Sequence, residues 1–197
     1  MPQTPQLGPG TRWRGAFRLR PARGRVNLFF ALVIAAGLVA GLGSLAFYTA
    51  THAAVRLGRE LAGGDPVLTV AVAVGGGLLV GLLGAVGPRN GLEGVPRVIY
   101  GAALGRALVG PWETLWTFIR STITIGTGGS AGREGPVVVI GAGLAGIIGR
   151  LARLSGREMR TLLAAGVAAG IAVAFNAPVA ASLFALEIIL GDFAAGT

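Results

Sequence analysis

The hydrophobic pattern of the chain begins with two long runs that contain no charge. Residues 26–50 carry no charged side chain, and about 20 apolar residues are enough for a helix to cross a bilayer. Residues 66–87 form a second uncharged run, and the polar residues 51–65 link the two. This pattern predicts an antiparallel pair of membrane-spanning helices.

The second half of the chain has shorter apolar segments, which glycine and proline interrupt. We predict helices at residues 97–109, 112–125, 137–149, 159–175 and 178–190. Segment 137–149 extends only about 20 Å, too little to cross a hydrocarbon core of about 30 Å. Full spans followed by broken helices are typical of transporters in which half-helix ends build the substrate site near mid-membrane. The predicted fold class is all-α, a polytopic membrane protein with full-length and broken, half-spanning helices.

Composition supports a membrane protein and excludes several classes of function. The chain is 53% hydrophobic and only 13% charged, with a mean hydropathy of +0.71, whereas soluble domains carry about 25% charged residues. It has no cysteine and a single histidine, His52. The lack of cysteine excludes disulfides and thiolate metal sites, and the single histidine argues against a histidine-based zinc site or a serine–histidine triad. We expect no enzyme activity, no metal site and no cofactor.

Positive charge is concentrated before the first hydrophobic run. The net charge is +9, all 17 basic residues are arginines, and the first 25 residues contain no acid. Six arginines lie there: Arg12, Arg14, Arg18, Arg20, Arg23 and Arg25. Nucleic-acid binding is one interpretation, but the positive-inside rule explains the position better and predicts a cytoplasmic N-terminus. We expect a cytoplasmic tail at residues 1–25 of a protein integral to a bacterial-type inner or plasma membrane.

The candidate chemistry lies where a glycine-rich stretch, residues 128–136, meets the apolar segment 137–149. It places Arg133 and Glu134 at the start of a hydrophobic helix, and ionisable residues at membrane depth indicate a functional site. A helix N-terminus has unpaired N–H groups and attracts anions. The carboxylate of Glu134 would mimic an anion there, and a proton would release it. The alternative is that Glu134 only caps the helix or pairs with Arg133.

Four short motifs together resemble the CLC family of chloride channels and transporters. They are Gly-Arg-Glu-Gly-Pro at 132–136, Ile-Gly-Ala at 140–142, Ala-Phe-Asn-Ala-Pro at 174–178 and Leu-Phe-Ala-Leu-Glu at 183–187. The resemblance covers residues 26–193. It implies a homodimer in the lipid bilayer, in which each subunit has its own pathway for chloride. It also implies that helix N-termini hold the anion, that Glu134 is the gate and that chloride is the only bound ion.

The resemblance assigns a second helix N-terminus to the anion site. The family's earlier motif, Gly-Ser-Gly-Ile-Pro, corresponds to residues 92–96, where Glu93 replaces the serine. A carboxylate there should repel chloride unless it is protonated or faces cytoplasmic water. The alternative is a solvated loop charge near Arg89 and Arg97. The implied anion-binding residues are Gly94, Val95, Pro96, Arg133, Glu134, Gly135 and Pro136.

A third position bears on the choice between a channel and an H+/Cl- antiporter. Proton-coupled members of the family typically carry two adjacent acids after the helix that follows the Ala-Phe-Asn-Ala-Pro motif. Here Glu187 is followed by Ile188, so the resemblance favours a passive, voltage-gated type of channel. An antiporter in which Glu187 acts differently remains the alternative, as does simple solvation of Glu187 and Asp192 at the cytoplasmic edge.

The length of the chain leaves further alternatives open. A CLC subunit consists of two inverted repeats, and the resemblance implies the first of them, incomplete, at residues 26–193, with 194–197 as a truncated end. The chain could then be a non-conducting membrane fragment. It could also be a half-size protein that pairs head-to-tail with another copy, although the arginine-rich tail should fix a single orientation.

Overall fold

The computed structural model describes residues 23–87 and 93–191, and the regular structure in these ranges is entirely helical. The helices are α1 (Arg23–Ala62), α2 (Pro66–Val86), α3 (Val95–Ala103), α4 (Pro111–Gly126), α5 (Glu134–Leu151), α6 (Gly156–Phe175) and α7 (Pro178–Phe184), which continues into a π-helix (Ala185–Leu190). Four helices, α1, α2, α5 and α6, are long and apolar enough to cross a membrane. The prediction of an all-α polytopic membrane protein is confirmed.

The first helix is longer than the hydrophobic pattern predicts. It continues through the polar residues expected to form a link and ends at Ala62. Polar side chains do not end the helix, because they can form hydrogen bonds with carbonyls of the preceding turn. The Thr51 hydroxyl, for example, donates to the Phe47 carbonyl at 2.9 Å. The chain reverses at two glycines with positive φ, and the Asp65 carboxylate then accepts a hydrogen bond from the Val67 N–H at 2.7 Å. The predicted pairing of α1 with α2 is confirmed, since the two helices are in contact.

The helix predicted at residues 137–149 is longer than expected, and its full length makes it one of the four candidate spans. α5 runs from Glu134 to Leu151, and its 18 residues extend about 27 Å. The N-terminal extension is possible because Pro136 lies in the first turn, where its missing N–H has no partner to lose. At the other end, the Arg150 guanidinium donates to the Ala107 and Val109 carbonyls at 3.1 and 3.0 Å. These hydrogen bonds satisfy the charged Arg150 side chain, so α5 continues through that residue to Leu151.

The core of the fold lies around α5, which packs against α1, α3, α4 and α6. Its residues 137–140 are almost completely buried. The crossing of α5 and α6 is close because a Cβ at Gly141 would lie only 2.5 Å from the Gly166 carbonyl oxygen. Small residues of this kind let membrane helices approach each other. The tight packing fixes the N-terminus of α5 relative to the other helices.

Of two further boundaries predicted from the sequence, one differs in the structure and the other agrees. The short helix predicted at 97–109 is α3, which begins at Val95 and ends at Ala103, because Gly105 turns the chain with a φ of 63°. The predicted break at 176–178 is confirmed. α6 ends at Phe175, the next residue Asn176 adopts the left-handed conformation, and α7 begins at Pro178.

Candidate functional site

Two helix N-termini that are distant in sequence border the same cavity. The cavity has a volume of about 450 Å³, and its wall includes Gly94 at the N-terminus of α3 and Gly135 and Pro136 in the first turn of α5. Gly94 adopts φ 73° and ψ −148°, a conformation that is open to glycine and strained for other residues. Neither N-terminus has a side-chain cap. Both helix ends therefore offer unpaired N–H groups and positive dipole ends to this cavity.

A polar stripe on α4 forms a further wall of the cavity, and the motifs did not reveal it. The stripe consists of Glu113, Trp116, Thr117, Arg120, Ser121 and Thr124. Successive members are three or one positions apart, so they lie on one face of an α-helix. This helical spacing is visible in the sequence and could have identified the stripe before the structure was known. The cavity thus has an alcohol-rich and amide-rich wall with one cationic side chain.

Arg120 is the cation of this wall and has no counterion among the residues that the structure describes. Its side chain is half-buried, and it lies in neither the ion pair nor the side-chain hydrogen bonds of residues 23–87 and 93–191. The guanidinium rests against α2, where a Cβ at Gly84 would lie 3.4 Å from Nη2. A half-buried positive charge without a partner is costly in a membrane protein.

Two acids also line this cavity, Glu93 and Glu113. Glu113 is paired, because the Arg97 Nε lies 3.1 Å from its carboxylate. Burial raises the pKa of Glu113, which lies outside the four spanning helices, while the Arg97 charge opposes that shift and the Glu93 charge adds to it. Glu93 itself is exposed. The residue that replaces the serine of the family motif therefore lies at the open edge of the cavity.

The buried indole N–H of Trp116 is a further unsatisfied group in the cavity wall. Its Nε1 atom is inaccessible to solvent and has no hydrogen-bond partner. The ring is held edge-to-face against Trp112, with centroids 5.6 Å apart. Leaving a buried donor unpaired costs about 1–3 kcal/mol.

The remaining predicted site residues lie outside the cavity wall. Val95 packs against the core and Pro96 is exposed. Arg133 and Glu134 are both exposed at the start of α5. Arg133 does not pair with Glu134 but lies over the Tyr48 ring, 5.7 Å from its centroid. Three of the seven predicted anion-binding residues, Gly94, Gly135 and Pro136, thus line the cavity, and the gate candidate stands beside it.

The acids near the end of the described chain are separate from this cavity. Glu187 and Ile188 lie on the π-helix, are exposed and do not line the cavity. Asp192, Arg89 and the tail residues 1–22 lie outside the described residues, as does the predicted end at 194–197. Among residues 23–87 and 93–191, no three His, Asp or Glu side chains converge as ligands of a metal would.

Comparison with known proteins identifies the class to which this fold and cavity belong. Residues 76–197 match the family described as "Voltage gated chloride channel". The match covers more than half of the chain, so the chain belongs to the voltage-gated chloride channel family. This is a family of channels and transporters for chloride rather than of enzymes, and the protein is integral to a membrane.

A curated relative extends the similarity towards the N-terminus. The "Putative chloride channel protein ClcB-like" of Ralstonia nicotianae is 34% identical in an alignment 181 residues long, which covers 82% of this chain and 42% of the relative. The chain therefore spans about two-fifths of the length of the relative that it matches.

Proposed function

We propose that the protein conducts chloride through a pathway that includes the cavity between α3, α4 and α5, and that Glu134 gates this pathway. The observation that carries the proposal is the convergence of two uncapped helix N-termini and the unpaired Arg120 on one cavity. Helix dipoles and free N–H groups favour an anion there. A guanidinium adds a full positive charge. The family's chloride transport and the relative's printed name support the same ion.

The gating proposal follows from the position of Glu134 in the chain. It is the first residue of α5 and immediately precedes Gly135, which lines the cavity. Rotation of its side chain would bring the carboxylate towards the N–H groups that attract the anion. A charged carboxylate competes with chloride for those groups, whereas a protonated carboxyl loses the charge that binds it. Acidification should therefore open the pathway.

Transport of chloride coupled to protons is the second candidate. Ile188, the residue after Glu187, favours the channel over this antiporter. Ile188 cannot carry a proton, and neither it nor Glu187 lines the cavity. We expect liposomes that contain the protein to release chloride without a stoichiometric uptake of protons. The test records chloride efflux and external pH together. Proton uptake in fixed ratio to chloride would establish the antiporter, and no release of chloride would support the non-conducting fragment.

The assembly and orientation of the protein are part of the proposal. We propose two copies in the functional unit, each with its own pathway, in a bacterial-type inner or plasma membrane with the N-terminus in the cytoplasm. The arginines that precede α1 support this orientation. Arg150 and Arg157 at the turn between α5 and α6 support it too, because Leu32 and Val33 in the first half of α1 pack in the same cluster as Ile148 and Leu154 beside that turn. No cofactor other than the transported chloride is proposed.

A further inference from the structure

A second cavity, of about 360 Å³, lies at the opposite end of α1 from the arginine-rich tail. Three arginines line it: Arg56 and Arg59 from α1, and Arg133 from the start of α5. Among the residues that the structure describes, no Asp or Glu lines it. None of the three arginines forms an ion pair with any residue of the described ranges. The cavity is therefore a concentration of exposed positive charge.

The position of this cluster runs against a general tendency of membrane proteins. The positive-inside rule concentrates Arg and Lys at the cytoplasmic ends of membrane helices. α1 begins at the arginine-rich end, so under the orientation proposed above its far end is where arginine should be depleted. Glu60 lies one turn after Arg56 and offsets part of the charge on α1, but an anion bound between the three guanidinium groups would reduce their mutual repulsion directly.

The walls of this cavity are held by packing and do not depend on a ligand for their position. Arg133 is fixed over the Tyr48 ring at 5.7 Å, and that ring lies 4.3 Å from the His52 imidazole, which also lines the cavity. α1 and α4 approach closely at the base, where a Cβ at Gly58 would lie 2.5 Å from the Gly126 carbonyl oxygen. The three arginines thus project from a preformed junction of α1, α4 and α5.

From this geometry we propose that the cavity binds a phosphate-class oxyanion, supplied by a phospholipid headgroup or by free phosphate. A guanidinium presents a planar fork of donors that matches two oxygens of a phosphoryl group. A chloride ion offers a single acceptor atom to that fork, whereas a phosphoryl group offers two or more oxygens. Basic pockets between transmembrane helices recognise lipid headgroups, best known on the cytoplasmic side; in the orientation proposed above, this cavity would face the opposite leaflet. The site is separate from the cavity beside Glu134, and competition between chloride and phosphate tests whether its ligand is distinct from the transported ion.

The test is calorimetric titration of the detergent-purified protein with inorganic phosphate at constant ionic strength. The double variant Arg56→Gln/Arg59→Gln should bind phosphate at least about tenfold more weakly, since each charge-assisted hydrogen bond contributes about 1.5–3 kcal/mol. The matched control is Arg106→Gln/Arg157→Gln, which removes the same charge from two exposed arginines outside this cavity. The control should retain the parent affinity. The variant Arg56→Lys/Arg59→Lys, which keeps the charge but loses the fork, should be intermediate.

Mass spectrometry of the purified protein distinguishes the two sources of the oxyanion. Phosphatidylglycerol that stays with the parent and the control, but is lost from the Arg56→Gln/Arg59→Gln variant, would assign the site to a lipid headgroup. Equal lipid retention with weakened phosphate binding would assign it to free phosphate. The proposal is overturned if the double variant and the control bind phosphate alike, if the parent binds none and retains no lipid, or if chloride competes as well as phosphate does. Chloride flux is not a readout here, so this result and the proposed channel function stand or fall separately.

Discussion

Replacing Glu134 by alanine should make chloride efflux from liposomes insensitive to pH and faster at neutral pH. In the parent, efflux should rise on acidification, because protonation removes the charge with which the carboxylate competes for the N-terminus of α5. Interactions between a charge and a helix N-terminus contribute about 0.3–2 kcal/mol. Removing the competing carboxylate should therefore raise the rate at neutral pH by about two- to thirtyfold.

The matched control for this prediction is Glu60→Gln. Glu60 is an exposed glutamate near the end of α1 and lines neither the cavity beside Glu134 nor the arginine-lined cavity. Its variant should keep the pH dependence of the parent. If Glu134→Ala retained that dependence, the proton would act at another group and Glu134 would only cap α5.

Reversing the charge of Arg120 should reduce chloride flux by at least about tenfold. Arg120→Glu replaces the unpaired cation of the cavity wall with an anion. A unit charge near a protein surface acts on an ion 4 Å away with about 4 kcal/mol at an effective dielectric constant of 20, and the effect falls with distance. Even a third of that energy corresponds to a tenfold change in occupancy. When flux is measured as a function of chloride concentration, Arg120→Glu should also show a weaker apparent affinity for chloride.

Graded substitutions separate charge from structure at this position. Arg120→Lys should conserve most of the flux, and Arg120→Gln should fall between the parent and Arg120→Glu. Arg106→Glu is the control, because Arg106 is exposed and outside the cavity. Equal flux in the parent and Arg120→Glu would remove Arg120 from the pathway, and equal losses in Arg120→Glu and Arg106→Glu would indicate a general effect of surface charge.

The spanning helices were predictable where hydrophobicity alone decides the structure. α2 begins at Pro66 as expected, since a long uncharged run has no alternative in a bilayer. The pattern misjudged α1 and α5, because it treated charged and small residues at the ends as breaks. Helix ends tolerate such residues: the carbonyls of the 104–110 segment satisfy Arg150, and the first turn of α5 accepts Pro136. Tertiary contacts, which a linear pattern does not contain, determine these boundaries.

The candidate site was predictable in its motifs but not in its walls. The glycine-containing segments at 94 and 135 were identified, and they do meet at one cavity. The sequence could not show that α4 would lie between them, because that depends on contacts such as Arg97 with Glu113. Arg120 escaped notice because it matches no motif, although the helical period of its polar neighbours was readable. The sequence also could not show that Arg133 would lie over the Tyr48 ring and so leave Glu134 without an ion pair to its neighbour.

The central claim is that the N-termini of α3 and α5 and the Arg120 side chain hold a halide in one cavity. Diffraction from crystals of the protein in which bromide replaces chloride tests it most directly, because bromide scatters anomalously. The account predicts an anomalous peak inside the cavity, next to the backbone at Gly94 or Gly135, that weakens in Arg120→Glu. An empty cavity in crystals that bind bromide elsewhere would contradict it.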